Sequence, residues 1–144
     1  MNVSKHYMGI AVVMFCFSAI PAAAQDAGEY LKQYFTGAAI QFGYGSGTSS
    51  NNPRVELWIH YCPNGMFFSS GQSCRPNIIA KGYQCSPIQD AGQWQVSVQN
   101  GQPMIQWFSN STGPGGMVVE IRGDGTVSDL RGNPFNRVGK AQCG

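Results

Sequence analysis

The chain has 144 residues, a formal net charge of +2, only 11% charged residues and 19 glycines. That length suits one domain with a modest core. The charges are scattered, which excludes a basic face for nucleic acid or an anionic membrane. Low charge with many glycines and aromatics points away from a helical bundle or a disordered tail and towards a secreted β protein.

Met1–Ala24 carries Lys5 and His6 near its start, an apolar run Met8–Ile20, and then Pro21-Ala22-Ala23-Ala24. This is the order of a secretory signal peptide, with cleavage expected after Ala24. The run is shorter than the roughly 20 residues of a spanning helix. Cys16 lies inside it, behind Phe15, and belongs to the discarded segment. The expected mature chain, Gln25–Gly144, is one secreted or periplasmic β domain without stable membrane insertion. Loss of Lys5 leaves eight basic residues against seven acidic ones.

Asp26–Phe35 is the one helix candidate. Tyr30, Leu31, Tyr34 and Phe35 share a helical face, Asp26 is placed to cap the start, and Thr36-Gly37 to stop the helix. The period then changes to two. Ala38–Tyr44 reads as a strand, followed by a polar connection from Gly45 to Pro53. Arg54–Cys62 is the clearest strand, with Val55, Leu57, Ile59 and Tyr61 on one face and Arg54, Glu56, Trp58 and His60 on the other. Asn64-Gly65 suits a type I′ turn into Met66–Ser70.

Gly71–Gly92 reads as irregular, with a short strand at Ile78-Ile79-Ala80. Strands follow at Gln93–Val98, Pro103–Ser109, Met117–Arg122, Thr126–Leu130 and Phe135–Val138. The expected turns between them are Asn100-Gly101, Gly113–Gly116, Asp124-Gly125 and Gly132-Asn133-Pro134. The spacing predicts an all-β fold: a small antiparallel up-and-down barrel or curled meander sheet with one short N-terminal helix.

Four cysteines follow the leader: Cys62, Cys74, Cys85 and Cys143. An even count in an exported chain reads as two disulfides. Cys74–Cys85 with Cys62–Cys143, and Cys62–Cys74 with Cys85–Cys143, are equally compatible with the spacing. No metal site is expected, because no C-x-x-C pair exists and His60 is the single histidine after the leader. No cofactor is expected either. Gly43-Tyr44-Gly45-Ser46-Gly47 lacks the lysine and helix of a phosphate loop. Asn110-Ser111-Thr112 matches a glycosylation acceptor, which has meaning only in a eukaryotic secretory pathway.

Catalytic groups are sparse. Glu56 and His60 share a strand face and would serve acid–base chemistry only by converging in a cleft. Among the aromatics, Trp58, Trp94, Trp107 and Phe108 are the candidate ligand-binding residues, as walls of a cavity in a small barrel.

The C-terminal stretch Gly92–Val138 contains a Gly-x-Trp strand, an Asn-Gly turn and a closing L-x-G segment. In these it resembles lipocalin-like bacterial secreted proteins, which implies an up-and-down barrel or half-barrel. At the N-terminal end, Thr36-Gly37-Ala38-Ala39 stands where a lipocalin carries its own Gly-x-Trp, and no family residue transfers to a position here. The expected function is non-catalytic binding of a small apolar ligand. The alternative is a protein-interaction role, such as an inhibitor or immunity-type partner of an exported hydrolase. That role would use the Gly71–Gly92 loop and the Trp58/His60 face.

Overall fold

A computed structural model describes residues 22–45, 53–77, 79 and 81–144. The expected leader through position 21 and the connection 46–52 lie outside the described residues. One helix, α1 (Ala22–Phe35), precedes eight strands. These are β1 (Ala38–Tyr44), β2 (Arg54–Tyr61), β3 (Met66–Asn77), β4 (Gly82–Gln99), β5 (Gln102–Ser109), β6 (Gly113–Ile121), β7 (Val127–Asp129) and β8 (Phe135–Lys140). Each strand from β1 to β6 pairs antiparallel with the next in sequence. β8 returns to the free edge of β1, and a bridge from Ser128 to Pro134 joins it to β7. The result is a nearly closed up-and-down barrel, which leaves few unpaired strand edges.

Side-chain alternation sets inside from outside. Val55, Leu57, Ile59 and Tyr61 face the interior, while Glu56, Trp58 and His60 face out, as the period of two predicts. α1 covers the end of the barrel where β1 begins and β4 ends. Leu31 and Phe35 are fully buried in one cluster with Ile40, Tyr61, Trp94, Ile105, Val119, Val127 and Phe135. Burying each of those two helix side chains is worth about 1.5–3 kcal/mol. Tyr30 donates its hydroxyl to the Gly125 carbonyl at 2.9 Å and Tyr34 to the Phe135 carbonyl at 2.6 Å. The Thr36 amide and hydroxyl both reach the Lys32 carbonyl, and Gly37 takes a positive φ of 68°, which ends the helix as expected. Its start differs. α1 begins at Ala22, so Asp26 lies within the helix and is not its cap, because the alanines ahead of it are the best helix formers.

Asp129 organises the β7–β8 seam. Its carboxylate accepts from the Arg131 amide at 2.9 Å, the Asn133 amide at 2.8 Å and the Asn133 side-chain amide at 2.8 Å. The disulfides are Cys62–Cys143 and Cys74–Cys85, the first of the two pairings left open by spacing. The first fastens the C-terminus beside the end of β2. The second joins directly facing residues of β3 and β4.

Gly71–Gly92 is not irregular: β3 and β4 stay paired from Met66↔Gln93 to Asn77↔Gly82 and form a long arm, which is two-stranded only beyond Cys74, where β3 leaves β2. β4 meets β5 only from Gly92 onward, so its outer half is an open edge, and the inward positions there include Ile88 beside Asp90, which leaves no clear apolar alternation. Pro87 is tolerated there because that edge of β4 donates to no neighbouring strand. Ile79 lies in the turn at the tip rather than in a strand, and Ile78 and Ala80 are outside the described residues.

Gly113–Gly116 is not a turn but the start of β6, with Gly115 paired to Trp107. A Cβ on Gly115 would stand 2.5 Å from the indole Nε1, so glycine makes room for the ring. Asn64-Gly65 is not a type I′ turn, since Gly65 has φ 81° but Asn64 is not left-handed. Pro63 favours a type I turn there, and the Gly65 amide donates to the Cys62 carbonyl at 3.0 Å. Asn100-Gly101 does have both residues left-handed, with φ of 52° and 76°.

Gly92 tests the packing of the barrel wall. A Cβ there would lie 2.1 Å from the Phe108 carbonyl oxygen and 2.9 Å from the Phe67 ring. Gly92→Ala is expected to destabilise by about 2–3 kcal/mol in denaturant unfolding. Gly123→Ala, with open space around it, is expected to stay within about 0.5 kcal/mol of the parent. The disulfides close loops of separation 81 and 11 residues. Removing Cys62–Cys143 by paired serine substitution is expected to cost about 4–5 kcal/mol, and removing Cys74–Cys85 about 3 kcal/mol.

Candidate functional site

The inward faces of the strands do not fill the barrel. A cavity of about 360 Å³ remains between the aromatic floor and the end away from α1. Phe42 and Tyr44 from β1, and Val55, Leu57, Ile59 and Tyr61 from β2, form one wall. Phe67, Ser69 and Ser73 from β3 and Ile88 and Asp90 from β4 form another. Ile105, Trp107, Met117 and Phe135 complete it from β5, β6 and β8. The floor is an aromatic set. Phe42 stacks on Phe135 with ring centres 4.4 Å apart, and Phe35 meets Tyr61 and Phe135 edge-on at 5.0 and 5.5 Å. Burial pushes the Tyr61 hydroxyl well above the ordinary tyrosine range, so it stays neutral.

The four aromatic candidates separate. Trp107 lines the cavity, its ring held against Gly115. Trp94 faces inward but is packed as structure: it meets Tyr61 edge-on at 5.0 Å, and its indole N–H donates to the Cys62 carbonyl at 3.1 Å. That bond ties the β2–β3 turn to β4. Trp58 and Phe108 point outward, 39% and 58% exposed, and do not reach the cavity. The parity of β2 and β5 decides this: each stands one residue from an inward side chain.

Trp94, Trp107 and Phe108 also border a second hollow of about 550 Å³ on the outside of β4–β6. Its wall is rich in glutamine, with Gln95 Nε2 donating to Gln106 Oε1 at 3.0 Å. We favour the interior cavity as the candidate site, because apolar side chains from most of the strands converge on it.

Glu56 and His60 share the outer face of β2 but are engaged separately. Gln41 Nε2 donates to Glu56 Oε1 at 3.1 Å, and the Gln142 amide donates to His60 Nδ1 at 3.0 Å. Among the described residues, no cluster of three His, Cys, Asp or Glu side chains has a metal-binding arrangement.

Asp90 belongs to the site although the sequence expectations do not include it. Counting back by twos from inward-facing Trp94 reaches Gly92, Asp90 and Ile88, a phase hidden while the segment reads as a loop. Ser109 Oγ–H donates to Asp90 Oδ2 at 2.6 Å, and the Ala91 amide donates to Oδ1 at 2.8 Å. Ser109 is buried and accepts the amides of Ser111 and Thr112 at 3.1 and 2.8 Å. The Asn110-Ser111-Thr112 segment is therefore a tight turn fastened to β4. Burial alone would raise the Asp90 pKa. Hydrogen bonds from Ser109, Ala91 and Ser111 outweigh that and hold it below the usual carboxylate value.

No family model, curated protein or solved structure matches this chain. Among the described residues, no helix is long and apolar enough to cross a membrane.

Asp90 and Asp129 both have depressed pKa values, from burial opposed by stronger hydrogen bonding. The stability they contribute is present in full above the ordinary value of 3.8 and is lost as pH falls through the lower folded-state values. Thermal unfolding between neutral pH and pH 2 should show that acid-side loss. Asp129→Asn should lower the neutral-pH melting temperature and flatten the acid limb.

Proposed function

We propose that this chain is an exported, non-catalytic binding module that takes a small apolar ligand inside its barrel. The observation that carries the reading is the interior cavity, about 360 Å³ with mostly apolar walls drawn from seven strands. Pockets that hold small molecules are concave, mainly apolar and about 300–1,000 Å³ in size. Export is supported by the leader pattern of Met1–Ala24 and by the two disulfides, which persist in oxidising compartments. The partner on this reading is the ligand itself, with no cofactor and no nucleic acid.

A second reading, a protein-interaction role against an exported hydrolase, is favoured by one feature. The disulfide-linked β3–β4 arm ends in Ile79, which is 97% exposed. Retention of a hydrolase from culture fluid that is lost in Ile79→Asp would support it.

Titration with n-octanol should change the tryptophan emission of the parent protein, and Trp107→Ala should lose most of that change. Leu57→Trp, which fills the cavity, should weaken binding by at least about tenfold while the fold is retained. A flat titration across n-octanol and other apolar probes would remove the reading.

A further inference from the structure

We propose that the cavity selects a ligand with a short apolar body and a cationic amine head, the head seated on the Asp90 carboxylate. This rests on the cavity being the ligand site. Asp90 is the one formally charged side chain among the described residues that line it, and no lysine, arginine or histidine shares the lining. The groups that hydrogen-bond its oxygens are all neutral: Ser109 Oγ at 2.6 Å and the Ala91 amide at 2.8 Å are the two short bonds, and Ser111 adds to them. None of these donors carries a charge, so the negative charge of the carboxylate is left without a cationic partner.

Those same bonds hold the carboxylate still. Ser109 is itself buried and bound to the amides of the β5–β6 turn, so the acceptor is positioned before any ligand arrives. The donors also hold the pKa of this partly buried carboxylate below its ordinary value, so Asp90 is ionised at neutral pH. A fixed negative charge beside apolar walls attracts a cation more strongly than the same charge in open water. It repels an anionic head. A wholly apolar ligand would strip water from the carboxylate and leave its charge without a counter-charge. Leu57, Ile59 and Ile88 supply the surface for the apolar body.

The test compares one chain length with three heads: n-octylammonium, n-octanol and n-octanoate. Each is titrated calorimetrically into the disulfide-intact protein at neutral pH and low salt. The ammonium is expected to bind at least about tenfold more tightly than the alcohol, with the carboxylate weakest. Added salt should narrow the gap. Asp90→Asn removes the charge and keeps one oxygen, which can accept from Ser109 or from Ala91 but not from both, and should bring the ammonium to within about twofold of the alcohol. An alcohol that binds as tightly as the ammonium overturns this inference and leaves the cavity reading standing. Binding by none of the three overturns both. A folded Asp90→Asn that keeps the original order also overturns it, since the carboxylate would then serve only the turn. Should Asp90→Asn not fold, head-group order and salt dependence in the parent protein decide.

Discussion

Phe35 closes this barrel, and the other features follow from where it sits. β7 has only three residues and meets β8 through one bridge, so backbone pairing alone holds the last seam weakly. Phe35 enters from α1 and packs on Tyr61 of β2 and Phe135 of β8, while the neighbouring Tyr34 hydroxyl binds the Phe135 carbonyl. Phe135 in turn stacks on Phe42 of β1. Tyr30 of the same helix binds the Gly125 carbonyl just ahead of β7, and Phe35 shares its buried cluster with Val127 of β7, so α1 spans the β7–β8 seam. Cys62–Cys143 adds a covalent tie at the same end, from β2 to the tail that follows β8.

Closing that end with aromatics has a consequence for the other. The large side chains are spent on the floor, and the wall above it carries Ser69, Ser73 and Asp90 beside aliphatic residues of moderate size. These do not span the barrel, so space remains. Eight strands give an interior just wide enough to be filled by side chains or to hold one small ligand, and the choice depends on residue size at a few inward positions. The same wall sets the electrostatics, because the polar groups it contains include a single fixed carboxylate.

Legibility in the sequence varied with how far a segment faces the core. β1 agrees with the reading of Ala38–Tyr44, and β2 with Arg54–Cys62 to within one residue, because one side of each is buried and the period of two is visible. The β3–β4 arm was hidden because the outer half of β4 is an open edge with few apolar side chains, held by cross-strand bonds and a disulfide. Asp90 was hidden with it. Gly113–Gly116 reads as a turn by composition, yet it is strand, since the Trp107 ring occupies the space that side chains would need. Asp26 lies inside α1 and does not cap it, because helix propensity extends through the alanines ahead of it.

By itself the sequence determined the all-β class, the single N-terminal helix, the meander order and the division of β2 into two alternating faces. These depend on local periodicity and turn chemistry, which act between residues close along the chain. Only the tertiary structure decided the disulfide pairing, the return of β8 to β1, the separation of Trp107 from Trp58 and Phe108, and the arrival of Asp90 in the cavity. Each of those depends on strand register and on which distant segments share a layer of the barrel. Local pattern does not encode them, because any register that keeps the alternation satisfies it equally well.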